Sequence, residues 1–207
     1  NGARFAFANL DNSNLLDRTD LSDINLAGMD LSNLNLHGKN LSDTILSGAD
    51  LTNTILTKVD FTGANLSHVD LSEHDITTTN LSDSILFRTD LSGIDLRPVT
   101  HTNADFRYTI LSESKLPDSL LINNNFDYAI LNNINFSGKD LSGSSFTYVN
   151  LEGSDMQNTN LSHVDFIQVD FTKIKNKSLA GADLFGTSFA HSNLSGVNLA
   201  GAILDGI

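Results

Sequence analysis

The side chains that could do chemistry in this chain are six histidines and many serines and aspartates. His68 and His163 each sit in "LSHVD", with Ser67 and Ser162 just before them and Asp70 and Asp165 two residues on. Serine, histidine and aspartate make a nucleophilic triad only where they converge in a pocket. The other histidines, His37, His74, His101 and His191, show no HExxH or other metal-ligand spacing. No GxSxG elbow and no GxGxxG or GxxxxGKS/T phosphate loop occurs. The absence of cysteine excludes disulfides, thiolate metal sites and a cysteine nucleophile. These residues point away from an enzyme, and no metal or cofactor is expected.

The charge balance is more informative. Twelve basic residues stand against 25 acidic ones, a formal net charge of -13. That argues against direct nucleic-acid binding through a basic surface, and equally against an anionic membrane face. It permits a cationic partner, or mimicry of a polyanion. No apolar run approaches the ~20 residues of a membrane span, and no charged-then-apolar leader opens the chain.

What positions these groups is a repeat. "GMDLSNLNLHGKNLSDTILSGADLTNTIL", residues 28–56, carries a leucine at every fifth residue, whereas a strand repeats every two and a helix every 3.6. Call the central apolar residue i. From Leu21 to Phe171 the positions five apart number 31, and all are Leu, Phe, Ile or Met except His101. The residue at i-1 is Asp or Asn in 22 of the 31, so a turn closed by a short polar side chain is expected beside each centre. Small or β-branched residues such as Ala49, Ala64, Val69 and Ala129 dominate i-2.

"GADLT" (48–52), "GANLS" (63–67) and "GADLF" (181–185) closely match A(D/N)LXX, and on them the chain resembles the pentapeptide-repeat family. The resemblance implies an all-β fold, a right-handed quadrilateral parallel β-helix. One pentad makes one side, four sides make a coil, and the i and i-2 side chains point inward. The three tyrosines, Tyr108, Tyr128 and Tyr148, test the coil length separately. They are spaced by twenty, each two residues after a phenylalanine, as four pentads per coil requires. Coils stacked at ~4.8 Å would give roughly ten coils and a rod on the order of 50 Å. The expected organisation is one domain over 1–207, with breaks near 15–17, 97–103 and 173–178, and a fragment of a longer protein. The eight-residue step from Phe171 to Leu179 suggests a protruding basic loop with Lys173, Lys175 and Lys177. His74, Lys39 and Lys139 occupy i-2 slots that suit small residues, which puts local regularity in question.

Twenty-residue columns then propose surfaces. One i-1 column begins with Asp30, Asp50, Asp70 and Asp90, an acidic ladder, and continues with Ile110 and Ile130 beside Tyr108, Tyr128 and Tyr148. Stacked outward Tyr and Ile would form an apolar interaction strip with a charged rim. The expected function is a non-enzymatic module that binds a protein partner. The family's occurrence within larger bacterial proteins, including effectors delivered into host cells, leaves the cytoplasm and a host cell both open as locations. Open coil ends would favour self-association. The alternative is an acidic DNA mimic acting on gyrase, like the quinolone-resistance members of the family. Those tend to carry cysteine and a C-terminal helix, and this chain shows neither.

Overall fold

The computed structural model describes residues 17–206, so the expected irregularity at Leu15 and Leu16 lies outside the described residues. Contacts divide the chain into two compact units, Asn1–Phe106 and Arg107–Ile207.

Within each unit the backbone climbs by parallel bridges between residues twenty apart. Asp20 pairs with Asn40, Asn40 with Asp60 and Asp60 with Asn80 in the first unit. Ile110 pairs with Ile130, and Ile130 with Asn150, in the second. No named strand forms among the described residues, because each side contributes one bridged residue at i-1 before the chain turns again. The turns follow from the sequence. The N–H at i+3 donates to the carbonyl at i, as Met29 N to Leu26 O at 3.1 Å, and the residue at i+2 takes a left-handed backbone. This is the type II pattern. Asn33 (φ 61°), Asn53 (φ 57°) and Gly48 (φ 64°) hold that slot, residue types that tolerate it best. The Asp or Asn at i-1 accepts the N–H of i+1, for example Ser32 N to Asp30 Oδ1 at 3.0 Å and Ser42 N to Asn40 Oδ1 at 3.0 Å. The expected side-chain closure of the turns is therefore present.

The interior is a stack of i residues. Leu41, Leu46, Phe61, Leu66 and Leu71 are fully buried in the first unit, and Phe126, Phe146 and Phe166 in the second. The phenylalanines stack face to face, with centroids 5.2 and 5.3 Å apart. Burying each such side chain contributes roughly 1.5–3 kcal/mol, an upper value because unfolded chains already hide some surface.

The slot at i-2 holds more than small apolar residues. Thr44, Thr54, Ser84, Thr89, Ser144 and Ser154 are all buried there. Their hydroxyls reach carbonyls of their own turn, as Thr44 to Leu41 O at 2.6 Å, or of the coil below, as Thr89 to Leu66 O at 2.8 Å. A buried hydroxyl with a carbonyl partner costs little, so Ser and Thr act here as small residues.

Departures from the repeat among the described residues are local. Pro117 starts a short helix, α1 (Asp118–Leu121), that keeps Leu120 and Leu121 buried. Beside Pro98, Val99 stays buried and Thr100 still bridges Asn80. At the lysine-rich step the bridge interval lengthens from twenty (Asp140 to Asn160) to 23 (Asn160 to Asp183) and returns to twenty (Ser178 to Asn198).

Candidate functional site

The tyrosine column stacks as its spacing requires. The rings of Tyr108 and Tyr128 are 4.5 Å apart and within 3° of parallel, and those of Tyr128 and Tyr148 are 4.9 Å apart and within 8°. All three occupy left-handed corner slots, at φ 63°, 62° and 57°. Tyr128 is 42% exposed and Tyr148 48%, whereas Tyr108 is half-buried. The Tyr128 phenol is pushed up from its ordinary range first by burial among its neighbours, then by the flanking phenols and Asp127. Ile110 and Ile130 bridge each other but are only half-buried, so the outward apolar surface of this column is carried mainly by Tyr128 and Tyr148. The exposed isoleucines lie elsewhere, at Ile45, Ile55 and Ile85 in the first unit and at Ile122 and Ile203 in the second.

The aspartate column is interrupted. Asp30 bridges Asp50 and Asp70 bridges Asp90, but Asp50 and Asp70 do not pair. The Thr52 hydroxyl and N–H hold Asp50 below the usual carboxylate range, and Thr77 does the same for Asp75. Both carboxylates therefore remain charged at neutral pH.

The lysine-rich segment is laid against the coil rather than standing clear of it. Phe171–Lys173 and Lys175–Lys177 form short 3-10 turns around a buried Ile174. Gly153 N donates to Lys173 O and Lys175 N to Ser154 O, both at 2.9 Å, while Lys175 Nζ pairs with Asp155 at 2.9 Å. Burial of Ile174 is what draws the insertion down. Lys173, Lys175 and Lys177 remain exposed.

The "LSHVD" groups do not assemble. Ser72 rather than His68 donates to Asp70, at 2.7 Å, and the His163 ring packs edge-on against Phe185 at 5.2 Å. His101, the one polar centre, packs against Phe106, and burial lowers its basicity. Among the described residues no three His, Asp or Glu side chains come together closely enough to hold a metal ion, and no helix is long and apolar enough to cross a membrane.

The residues that sequence reasoning undervalued are at a cleft of about 530 Å³, lined by residues 49–57, His68, Asp70 and residues 72–75. The signal was His74 in a slot for small residues.

The family model for pentapeptide repeats (8 copies) matches residues 16–48, 44–83, 102–138, 140–173 and 178–207. Among solved structures, full-length QnrB1, a plasmid-mediated fluoroquinolone resistance protein, matches at 15% identity and a TM-score of 0.52, over 90% of this chain and 93% of that one. HetL, a pentapeptide repeat protein involved in heterocyst differentiation regulation from the cyanobacterium Nostoc sp. strain PCC 7120, matches at 22% identity and a TM-score of 0.34, over 90% and 85%. No curated protein sequence matches the chain. The likeness to QnrB1 is one of fold, a right-handed β-helix.

Proposed function

Since the chain belongs to the pentapeptide-repeat family, whose coils leave only their outer faces available, we propose that it is a non-enzymatic module that docks a protein partner. Four sides per coil and about ten coils belong to the same reading, from coils of twenty residues. The observation that carries it is the exposed, stacked pair Tyr128 and Tyr148 with Ile130 alongside. Tyrosine combines a large apolar face with a polar tip, and it is enriched where partners bind. The parallel stack restrains the rings before any partner arrives, which lowers the ordering cost of association.

The test is replacement of Tyr128 and Ile130 by serine, followed by crosslinking capture of the partner. Binding should be lost while the circular dichroism spectrum is kept. A variant that captures the partner as well as the wild type refutes the strip, and one that unfolds makes the ladder structural.

A second reading has its own support in the net charge of -13 and in ionised aspartates such as Asp50: an acidic mimic of DNA acting on gyrase. The fold shared with QnrB1 is compatible with that reading and adds nothing to it beyond the fold. A supercoiling assay decides, and no effect of micromolar protein excludes it.

A further inference from the structure

In the first unit each coil is normally tied to the next by a recurring set of rungs. Leu31 N donates to Asp50 O at 2.9 Å, Asn33 N to Thr52 O at 2.8 Å and Leu36 N to Ile55 O at 3.0 Å. In the other direction, Asp50 N and Ile55 N donate to Met29 O and Leu34 O, both at 2.9 Å. One coil further on the equivalent donors are Leu51 N, Asn53 N, Leu56 N, Asp70 N and Asp75 N. Among the described residues none of these makes a backbone hydrogen bond, and neither Asp50 with Asp70 nor Ile55 with Asp75 forms a bridge. Above it the ladder resumes where Leu71 N donates to Asp90 O at 2.8 Å and Asp90 N to Val69 O at 2.9 Å, while Glu73 N and Ile76 N, on either side of His74, also make no backbone hydrogen bond.

His74 is the wedge. At the same slot one coil below, Thr54 reaches across to Leu31 O with a hydroxyl, at 2.9 Å. His74 makes the equivalent contact to Leu51 O with Nε2, at 2.7 Å, but it places a whole ring where the hydroxyl would be. The coils part to admit the ring, its Nδ1 is buried without a partner, and the corner residue Glu73 leaves the left-handed conformation that Asn53 and Gly93 keep.

The parted edges line the 530 Å³ cleft. Asp50, Asp70, Glu73 and Asp75 ring it, Ile55 is 49% exposed at its side, and no lysine or arginine lines it. The carboxylates are too dispersed to close on a metal ion. They suit a cation that spreads its donors, and the guanidinium does so with five N–H groups in a plane at the end of an aliphatic stem. The unmade rungs add carbonyl acceptors at Asp70 and Asp75, and N–H donors at Leu51 and Leu56, to which an extended peptide backbone can bond.

We infer that this opened seam is a docking site for an arginine carried on an extended segment of a protein partner. Ile55 would take the stem and Asp50, Asp70 and Glu73 the guanidinium. The site is separate from the tyrosine column, and its failure would leave that reading untouched.

The experiment is amide-resolved NMR on the full chain at about 0.15 M salt, where long-range screening is substantial. The probes are the capped peptide STRTS and its citrulline analogue. Amides of Leu51, Asn53 and Leu56 should exchange at least about tenfold faster than those of Leu31, Asn33 and Leu36, as unpaired rungs do. They should shift on adding the arginine peptide and stay still with citrulline. Asp50→Asn with Asp70→Asn keeps the turn-closing oxygens and should weaken binding about fivefold or more. His74→Thr should let the rungs form, protect the three amides and abolish the shifts. Equal protection of the two sets of amides would show the seam closed and overturn the proposal. So would equal binding of the citrulline peptide, or an equal loss from Asp60→Asn with Asp83→Asn, which removes the same charge elsewhere. Should His74→Thr fail to fold, the citrulline and paired aspartate arms still decide.

Discussion

Replacing Tyr128 by asparagine measures what the tyrosine stack contributes to the coils. Tyr128 has a ring on each side, at 4.5 and 4.9 Å, and an aromatic pair is worth about 0.5–1.5 kcal/mol beyond its buried area, so about 1–3 kcal/mol is at stake. Part of this is offset. A bulky residue in the left-handed region costs about 1–2 kcal/mol, and asparagine relieves about half of that. Asparagine already occupies the same corner slot at Asn103 (φ 57°) and Asn133 (φ 58°), so the turn itself should survive. The net loss expected for Tyr128→Asn is about 0.5–2 kcal/mol. Urea unfolding of Tyr128→Asn, Tyr148→Asn and the double variant should return a coupling of about 1 kcal/mol. Because coils couple to their neighbours, exchange at Tyr148 N, which donates to Ile167 O at 2.8 Å, supplies a local readout of the same effect. A coupling within about 0.3 kcal/mol of zero refutes the stacking contribution, and a loss above about 4 kcal/mol makes the column part of the core, unavailable as a docking strip. The pH dependence has a definite sign. With the Tyr128 phenol raised above 10.0 in the folded chain, its stabilising contribution is complete below that value and is lost as pH rises through the raised one.

Buried hydroxyls at i-2 should differ according to what they leave behind. Ser154 Oγ donates to Leu131 O at 2.5 Å and also accepts Ile134 N at 2.9 Å, so Ser154→Ala strands a buried donor and should cost about 2–3 kcal/mol by urea unfolding. Ser84→Ala loses only a bond to Leu81 O, a carbonyl that Ser84 N still occupies, and should cost about 1 kcal/mol; equal losses would refute the distinction. His101→Leu restores the apolar centre and should stabilise the chain by about 1 kcal/mol at neutral pH. Since burial lowers the His101 pKa below 6.5, the wild type should lose stability as pH falls from that value towards the lowered one, and the leucine variant should lack this slope in denaturant titrations.

Leucines and phenylalanines five apart, with Asp or Asn before them and tyrosines twenty apart, were enough to read the twenty-residue bridge interval, the turn closure and the tyrosine stack, because each follows from regular spacing along the chain. What could not be read depends on which atoms of a neighbouring coil come within reach. Serine and threonine at i-2 look polar in the sequence and become interior only because a carbonyl lies within reach, as Leu66 O does for Thr89. The lysine insertion looks like a loop until Ile174 finds a buried place.

The three out-of-pattern residues at i-2 show where the limit falls, because side-chain length and stiffness separate them. Lys39 bends out to Arg18 O at 2.7 Å, and Asn40 still pairs with both Asp20 and Asp60. Lys139 bends out to Asp118, and the Asp140–Asn160 bridge stays intact. A flexible four-carbon stem lets the charge leave while the slot keeps only methylenes. His74 has no such stem. Its ring is short and rigid, so it must stay in the wall, and Leu51 O gives it a reason to remain. Of three residues equally foreign to the repeat, only the one that cannot bend away parts the coils, and it does so between two aspartates of the acidic column.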